Sequence, residues 1–297
     1  MSGERKRILV IGSRGQVARA LIEALQARGC DVSVAARPAI DLADPATLGP
    51  AVRAARPSIV INPAAFTDVD GAEDAAGLAM AINCEGAATL AAEAYKVGAA
   101  IIHFSTDYVF DGRKRSPYLE SDDPAPLGVY GRSKLAGDLA VAAANPHHVI
   151  LRSGWIFSPN GKNFVTTILR LARERPLLRV VDDQHGTPTF ASDIADAVCR
   201  IIALSRRGAG EHCGTFHLAS AGETTWCGFA RAIIAASAAR GGPTAEIVPI
   251  GSVDYPTRAK RPAYSRLATD KLTSIYGLTL PDWHDGLVRC MDAIINR

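Results

Sequence analysis

The sequence predicts an α/β protein built on a doubly wound parallel sheet with helices on both faces. In the first half, short aliphatic runs such as residues 8–11 and 58–62 alternate with longer helical stretches rich in alanine. The central residues of these runs are continuously apolar and do not alternate with polar residues, which is typical of parallel strands buried on both faces. A turn containing two glycines directly follows the first run, as expected where such a sheet binds a ligand.

Composition narrows the class of protein. The 297 residues are 48% hydrophobic and 21% charged with a net charge of +3, which excludes intrinsic disorder. No basic run stands out, so nucleic acid is not an expected partner. No stretch approaches the roughly 18 apolar residues of a membrane span. The six cysteines are scattered without a CxxC pair and no signal peptide is apparent, so we expect a cytoplasmic protein.

Strands and helices are expected in strict alternation over the first half of the chain. The predicted strands are residues 8–11, 31–35, 58–62, 99–104 and 148–151. The predicted helices are residues 16–28, 44–55, 85–97 and 130–144. We therefore expect a first domain over residues 1–152.

The pattern changes after about residue 152. Helices are predicted at residues 164–173, 192–205, 226–238 and 282–295, separated by loops rich in Pro, Gly and Thr, such as 182–189 and 255–262. One further strand, residues 215–218, is expected to return to the main sheet. Residues 153–297 are thus predicted to form a smaller substrate-binding region, interleaved with the first domain through a returning segment at about 190–220.

The turn after the first strand reads Gly12-Ser-Arg-Gly15-Gln-Val-Ala18. Glycines at a strand-to-helix turn let the backbone approach a pyrophosphate, and the helix N-terminus offers free N–H groups. The small Ala18 still permits close packing of the helix on the sheet. An ordinary tight turn is the alternative, but the position after the first strand favours a dinucleotide-binding domain.

The end of the second strand suggests which dinucleotide binds. An NAD site usually has an acidic residue there, whereas this chain has two alanines followed by Arg37. Arg37 and Arg14 together could grip the 2′-phosphate of NADP, and the alternative is that both face water. Asp41 and Leu42 are expected near the adenine. NADPH is therefore the expected cofactor, and NADH is left open.

A third motif, Tyr130-Gly-Arg-Ser-Lys134, is predicted to open a helix. Its four-residue spacing places Tyr130 and Lys134 on one face, where the ammonium is expected to lower the pKa of the phenol. Thr106 follows the fourth strand and would lie at the carboxyl edge of the sheet, within reach of a carbonyl oxygen. The spacing alone is common by chance, and Thr106 could instead cap a turn.

At this point the sequence resembles the extended short-chain dehydrogenase/reductases, and specifically the dTDP-4-dehydrorhamnose reductase family. The resemblance covers nearly the whole chain and implies a Rossmann-like domain. It is carried by residues 12–17, 62–70, 81–83, 105–112, 130–134, 152–155, 163–164, 183–189 and 261–267. The last four segments are the most specific, because the wider superfamily does not share them.

The resemblance implies roles for individual residues. Tyr130 would be the proton donor, Lys134 its partner and Thr106 the hydroxyl that completes the catalytic site. The residues that would contact the dinucleotide are Gly15, Gln16, Val17, Asp41, Leu42, Ala65, Phe66 and Thr67. The sugar would contact Thr106, Asp107 and Trp155. Arg261, in a loop with little to bury it, would clamp the diphosphate, with a structural salt bridge as the alternative.

The implied activity is NADPH-dependent reduction of the 4-keto group of dTDP-4-dehydro-6-deoxy-L-mannose to dTDP-L-rhamnose. Two alternatives stay open: a reductase or epimerase of another nucleotide sugar, and a non-catalytic subunit of the kind that regulates methionine adenosyltransferase. Some relatives dimerise through a metal bound by acidic residues, one of them on the first helix. The first turn here reads Ala18-Arg-Ala20, so no metal site is expected, and a homodimer is left open.

Overall fold

The computed structural model describes residues 6–204 and 212–295. The strands are β1 (Arg7–Ile11), β2 (Asp31–Ala35), β3 (Ile59–Asn62), β4 (Ala100–Thr106), β5 (His148–Ser153), β6 (Ile156–Phe157), β7 (Leu177–Val181), β8 (His185–Gly186), β9 (Thr189–Phe190), β10 (Gly214–His217), β11 (Thr224–Thr225) and β12 (Glu246–Ile250). The α-helices are α1 (Gln16–Ala27), α2 (Leu48–Ala55), α3 (Gly71–Asp74), α4 (Ala76–Met80), α5 (Ala87–Lys96), α6 (Val129–Ala144), α7 (Phe164–Glu174), α8 (Ala191–Leu204), α9 (Trp226–Ala238), α10 (Asp270–Tyr276) and α11 (Trp283–Ile295).

The main sheet has six parallel strands in the order β10-β5-β4-β3-β1-β2. All four residues of β3 and the last four of β1 are buried, as the continuous apolar runs predicted. The predicted returning strand is β10, which pairs with β5 at the sheet edge. The doubly wound α/β fold is therefore confirmed.

Helices cover both faces of the main sheet. On one face, α1, α8 and α10 pack their apolar side chains against the strands in one continuous core cluster. On the other face, α2, α5 and α6 do the same in a second cluster. The predicted helix at 192–205 corresponds to α8, and its last position lies outside the described residues.

The smaller region has its own core. Helices α7, α9 and α11 pack around Phe157, Phe229 and Trp283, which are all buried. Strands β7 and β12 pair in parallel beside this core and were not predicted from the sequence. Among the described strands each pairs only with the other, and neither short run carries a local signal of its own.

Two predicted helices begin differently from expectation. The segment predicted as a helix over 44–55 starts with a 3₁₀ turn, Pro45–Thr47, before α2. The helix predicted over 85–97 is α5, preceded by a π-helical stretch, Ala81–Gly86. Gly86 packs so closely that a Cβ there would lie 2.1 Å from the carbonyl oxygen of Leu42.

No helix in the described ranges is long and apolar enough to cross a membrane.

Candidate active site

The glycine turn lies between β1 and the N-terminus of α1, at the base of the candidate site. Gly12 has φ +87° and its N–H donates to the carbonyl of Ala35 at 2.7 Å, which fixes the turn after β1. Gly15 is the N-cap of α1, and a Cβ there would meet no atom within 4 Å. The first turn of α1 has neither a capping side chain nor an acidic residue. An open, uncapped helix N-terminus beside two glycines fits the pyrophosphate of a dinucleotide.

Gln16 joins this turn to the smaller region. Its side-chain amide donates to the carbonyl of Ile156 at 3.3 Å and accepts from the Ser158 hydroxyl at 2.9 Å. Val17 packs against the main core. The start of α1 is therefore held in place by contacts on both sides.

The end of β2 presents the residues expected at the ribose and adenine. Arg14 and Arg37 are both exposed, and neither forms an ion pair with a described residue. The carboxylate of Asp41 accepts from the N–H of Ala43 at 3.0 Å, and Leu42 is buried. Both guanidinium groups are thus available to an anion.

A loop after β3 carries Ala65, Phe66 and Thr67, and a buried asparagine holds it. Asn83 accepts from the N–H of Phe66 at 2.8 Å and donates to the carbonyl of Phe66 at 3.1 Å. It also donates to the hydroxyl of Ser133, which donates to the carbonyl of Tyr130. Asn83 therefore links the loop to the catalytic helix, a role that sequence reasoning missed.

The three predicted catalytic groups meet at the carboxyl end of β4. Tyr130 lies in the first turn of α6 and Lys134 one turn further on, as the spacing predicted. The Nζ of Lys134 is buried and donates to the carbonyl of Phe104 at 2.6 Å. The hydroxyl of Thr106 accepts from the N–H of Tyr108 at 3.2 Å and donates to Asp107 Oδ1 at 3.1 Å.

Burial dominates the protonation of these groups. Burial raises the pKa of Tyr130 to about 12, and this effect outweighs the hydrogen bond with Thr106, which lowers the pKa. Burial also lowers the pKa of Lys134 to about 8 and raises the pKa of Asp107 to about 6. The expectation that Lys134 lowers the pKa of Tyr130 is wrong for this structure, because the ammonium points to Phe104 and desolvation outweighs it.

Arg261 is more enclosed than its sequence context suggested. Its Nη2 and Nη1 donate to the two carboxylate oxygens of Asp70 at 2.6 and 3.2 Å, and its side chain is 21% exposed. The expectation that little buries it is therefore wrong. The neighbouring Tyr108 packs its ring edge-on against Tyr130, with centroids 6.0 Å apart, so this ion pair borders the catalytic group.

Gly154, the residue before Trp155, packs against the carboxyl group of Asp107. Trp155 has φ +51° and stacks on Trp226 with ring centroids 3.5 Å apart. A Cβ on Gly154 would lie 2.5 Å from the carboxyl of Asp107, and one on Gly186 would lie 2.5 Å from the indole. Both side chains are thus fixed by contacts that only glycines permit.

Taken with the fold, this site defines a dinucleotide-dependent oxidoreductase of the extended short-chain dehydrogenase/reductase class. The glycine turn and the Tyr130–Lys134 pair that the sequence predicts to be catalytic both lie at the carboxyl ends of the parallel strands, where such folds bind ligands.

Comparison with known proteins narrows this class. The sequence model of the RmlD substrate binding domain matches residues 6–296. A dTDP-4-dehydrorhamnose reductase of Burkholderia thailandensis is 42% identical over 98% of this chain and 100% of its own length. The Escherichia coli K12 reductase of the same name is 38% identical, over 97% of each chain. The chain belongs to the dTDP-4-dehydrorhamnose reductase family.

Solved structures agree with this assignment. A dTDP-4-dehydrorhamnose reductase of Bacillus anthracis, crystallised in complex with NADP, superposes with a TM-score of 0.90 at 32% identity. The match covers 97% of this chain and 99% of that one. The fold of the whole chain, including the smaller region, is therefore that of this family.

Proposed function

We propose that the protein reduces the 4-keto group of dTDP-4-dehydro-6-deoxy-L-mannose with NADPH, giving dTDP-L-rhamnose. One observation carries the proposal: Tyr130, Lys134 and Thr106 gather where β4 ends, in a member of a family whose relatives bear the name of that reductase. NADPH, when bound, supplies the hydride. The protein supplies orientation, the proton and electrostatic stabilisation.

Tyr130 is the proposed proton donor. With its pKa raised to about 12, the phenol keeps its proton at neutral pH and can give it to a carbonyl oxygen that gains negative charge. The Lys134 ammonium, one helical turn away, is the proposed contact that places the dinucleotide beside this phenol. The hydroxyl of Thr106 lies on the same edge, where it can hydrogen-bond the reacting oxygen.

The dinucleotide would lie across the carboxyl edge of the sheet. Its pyrophosphate fits the open N-terminus of α1. The hydroxyls of its nicotinamide ribose would accept a hydrogen bond from the Lys134 ammonium. The exposed Arg14 and Arg37 are the proposed partners of the 2′-phosphate. The other proposed contacts are Gly12, Gly15, Gln16, Val17, Asp41, Leu42, Ala65, Phe66, Thr67 and Tyr130.

The nucleotide sugar would contact the residues that border Tyr130. We assign Thr106 and Asp107 to the sugar and Trp155 to the same pocket, where stacking on Trp226 holds the indole rigid. Arg261 is the proposed diphosphate contact. Since its guanidinium is already engaged by Asp70, the diphosphate would share or displace that partner.

We also propose a division of the chain and a location. Residues 1–152, with the returning segment at about 190–220, would bind the dinucleotide, and the rest of residues 153–297 would bind the sugar. A cytoplasmic location is supported by the six cysteines, none of which forms a disulfide. A homodimer is the proposed assembly to test first, by light scattering of the purified protein.

Turnover tests the proposal directly. The purified protein is mixed with NADPH and the dTDP-linked 4-keto sugar, and loss of NADPH absorbance is followed with Tyr130→Phe as the matched control. We expect oxidation of NADPH with the wild type and little with the variant. No oxidation by a protein that binds NADPH would contradict the proposal and favour a non-catalytic subunit. Oxidation with another nucleotide sugar alone would favour a different reductase.

A further inference from the structure

A buried ion pair lies one helical turn beyond the catalytic lysine. Asp138 on α6 accepts a hydrogen bond from Arg152 Nε of β5 at 3.1 Å, and the two side chains are 3% and 6% exposed. Both charges lose hydration there, and a buried pair often adds little net stability. The pair lies beneath the site, where its charges can act on the neighbouring lysine as well as hold α6 on the sheet.

The pair is connected to the catalytic site by geometry. Tyr130, Lys134 and Asp138 follow each other at four-residue spacing on α6, so they lie along one face of the helix. The register of β4 and β5 sets Ser105 beside Arg152, one residue after the carbonyl of Phe104 that binds the lysine. Asp138 Oδ1 is buried and has no hydrogen-bond partner within the described ranges.

Asp138 is the carboxylate that acts on the Lys134 ammonium. Burial lowers the pKa of Lys134 and Asp138 raises it. On β4, burial and Lys134 hold the pKa of His103 well below its ordinary value, so this ring adds no positive charge at neutral pH. Burial raises the pKa of Asp138 itself, whereas its ion pair with Arg152 of β5 and the nearby Lys134 lower it and favour the carboxylate. Tyr130 on the same helix keeps its proton and is neutral at neutral pH.

We propose that Asp138, anchored by Arg152, is a positioning residue that acts on the proposed catalytic edge through Lys134, one helical turn away on the same face of α6. The inference rests on the proposed function, in which the Lys134 ammonium holds the dinucleotide. Asp138 touches neither sugar nor dinucleotide and acts through Lys134. Without the carboxylate, the buried ammonium loses its proton at a lower pH, and the dinucleotide loses a charged partner.

The test is NADPH affinity as a function of pH, measured by fluorescence titration of wild type and Asp138→Asn. We expect the alkaline loss of affinity to begin about one pH unit lower in the variant. At about pH 8 this corresponds to roughly fivefold weaker binding than wild type, and the ratio approaches about tenfold at higher pH. Asp196→Asn, which removes the exposed partner of Arg28, is the matched control and leaves the profile unchanged.

A double variant separates positioning from structural support. Asp138→Asn alone leaves Arg152 buried without its partner, which destabilises the fold. Asp138→Asn with Arg152→Gln removes both charges, so its thermal midpoint should recover while its affinity profile stays displaced. Asp138→Glu keeps a carboxylate and should keep the wild-type profile.

The outcomes are distinct. A double variant with both the stability and the pH profile of wild type would show that the pair only supports the fold. An unshifted profile in Asp138→Asn would also overturn the inference. If the wild type binds NADPH but reduces no sugar, the proposed function fails while the affinity profile still decides the role of Asp138. A wild type that binds no NADPH would overturn both.

Discussion

Replacing Lys134 by methionine is expected to stabilise the fold while abolishing reduction. The side chain is 2% exposed, and burial lowers its pKa from 10.5 to about 8. That shift corresponds to about 3 kcal/mol against the buried ammonium at neutral pH. Methionine also removes the bond to the carbonyl of Phe104, and a bond to a charged donor contributes about 1.5–3 kcal/mol. We therefore expect a net gain of up to about 1.5 kcal/mol.

The pH dependence of this gain is its signature. Between about pH 8 and 10.5, the unfolded chain binds more protons at Lys134 than the native protein, so wild-type stability rises with pH across this window. Lys134→Met lacks that contribution, so its advantage is largest below about pH 8 and shrinks above it. Urea unfolding at neutral and alkaline pH measures it, with the exposed Lys96→Met as control. A variant less stable than wild type at neutral pH, or a difference constant with pH, would refute the reasoning.

Three further changes address the rest of the site. Tyr130→Phe should lower kcat by about 10² to 10⁴ with NADPH affinity within a few-fold, because only the proton donor is lost; a near wild-type kcat would remove Tyr130 from the mechanism. Wild type should prefer NADPH over NADH by roughly 5- to 150-fold in kcat/KM, and Arg37→Ala should reduce that ratio; an unchanged ratio would show that Arg37 faces water. Arg261→Ala should raise KM for the nucleotide sugar by roughly tenfold or more, whereas Asp70→Asn, which frees the guanidinium, should not. Equal increases in the two variants would make their ion pair structural.

Local sequence patterns were enough to predict the main sheet and the core of the site. Strands buried on both faces need apolar side chains on both faces, so β1 and β3 can be recognised as strands without any knowledge of their partners. The spacing of Tyr130 and Lys134 places them on one face of any helix that contains them. The strand predicted at residues 215–218 is observed as β10, paired with β5 at the edge of the main sheet.

Long-range contacts explain what the sequence did not predict. Among the described strands, β7 and β12 pair only with each other. Nothing in the residues of either strand identifies the other as its partner. Asn83 contacts Ser133, 50 residues away, and Arg261 contacts Asp70, 191 residues away. The pKa of Tyr130 was misjudged for the same reason, because its spacing to Lys134 reports neither the depth of burial nor the carbonyl that binds the ammonium.

Isotope transfer tests the central claim most directly. The wild-type protein is incubated with the dTDP-linked 4-keto sugar and NADPH carrying deuterium at the transferred position, and the product is examined by NMR. The account predicts dTDP-L-rhamnose with deuterium bound to C4 of the sugar. A 4-keto sugar recovered unchanged, or a reduced sugar without deuterium at that carbon, would contradict it.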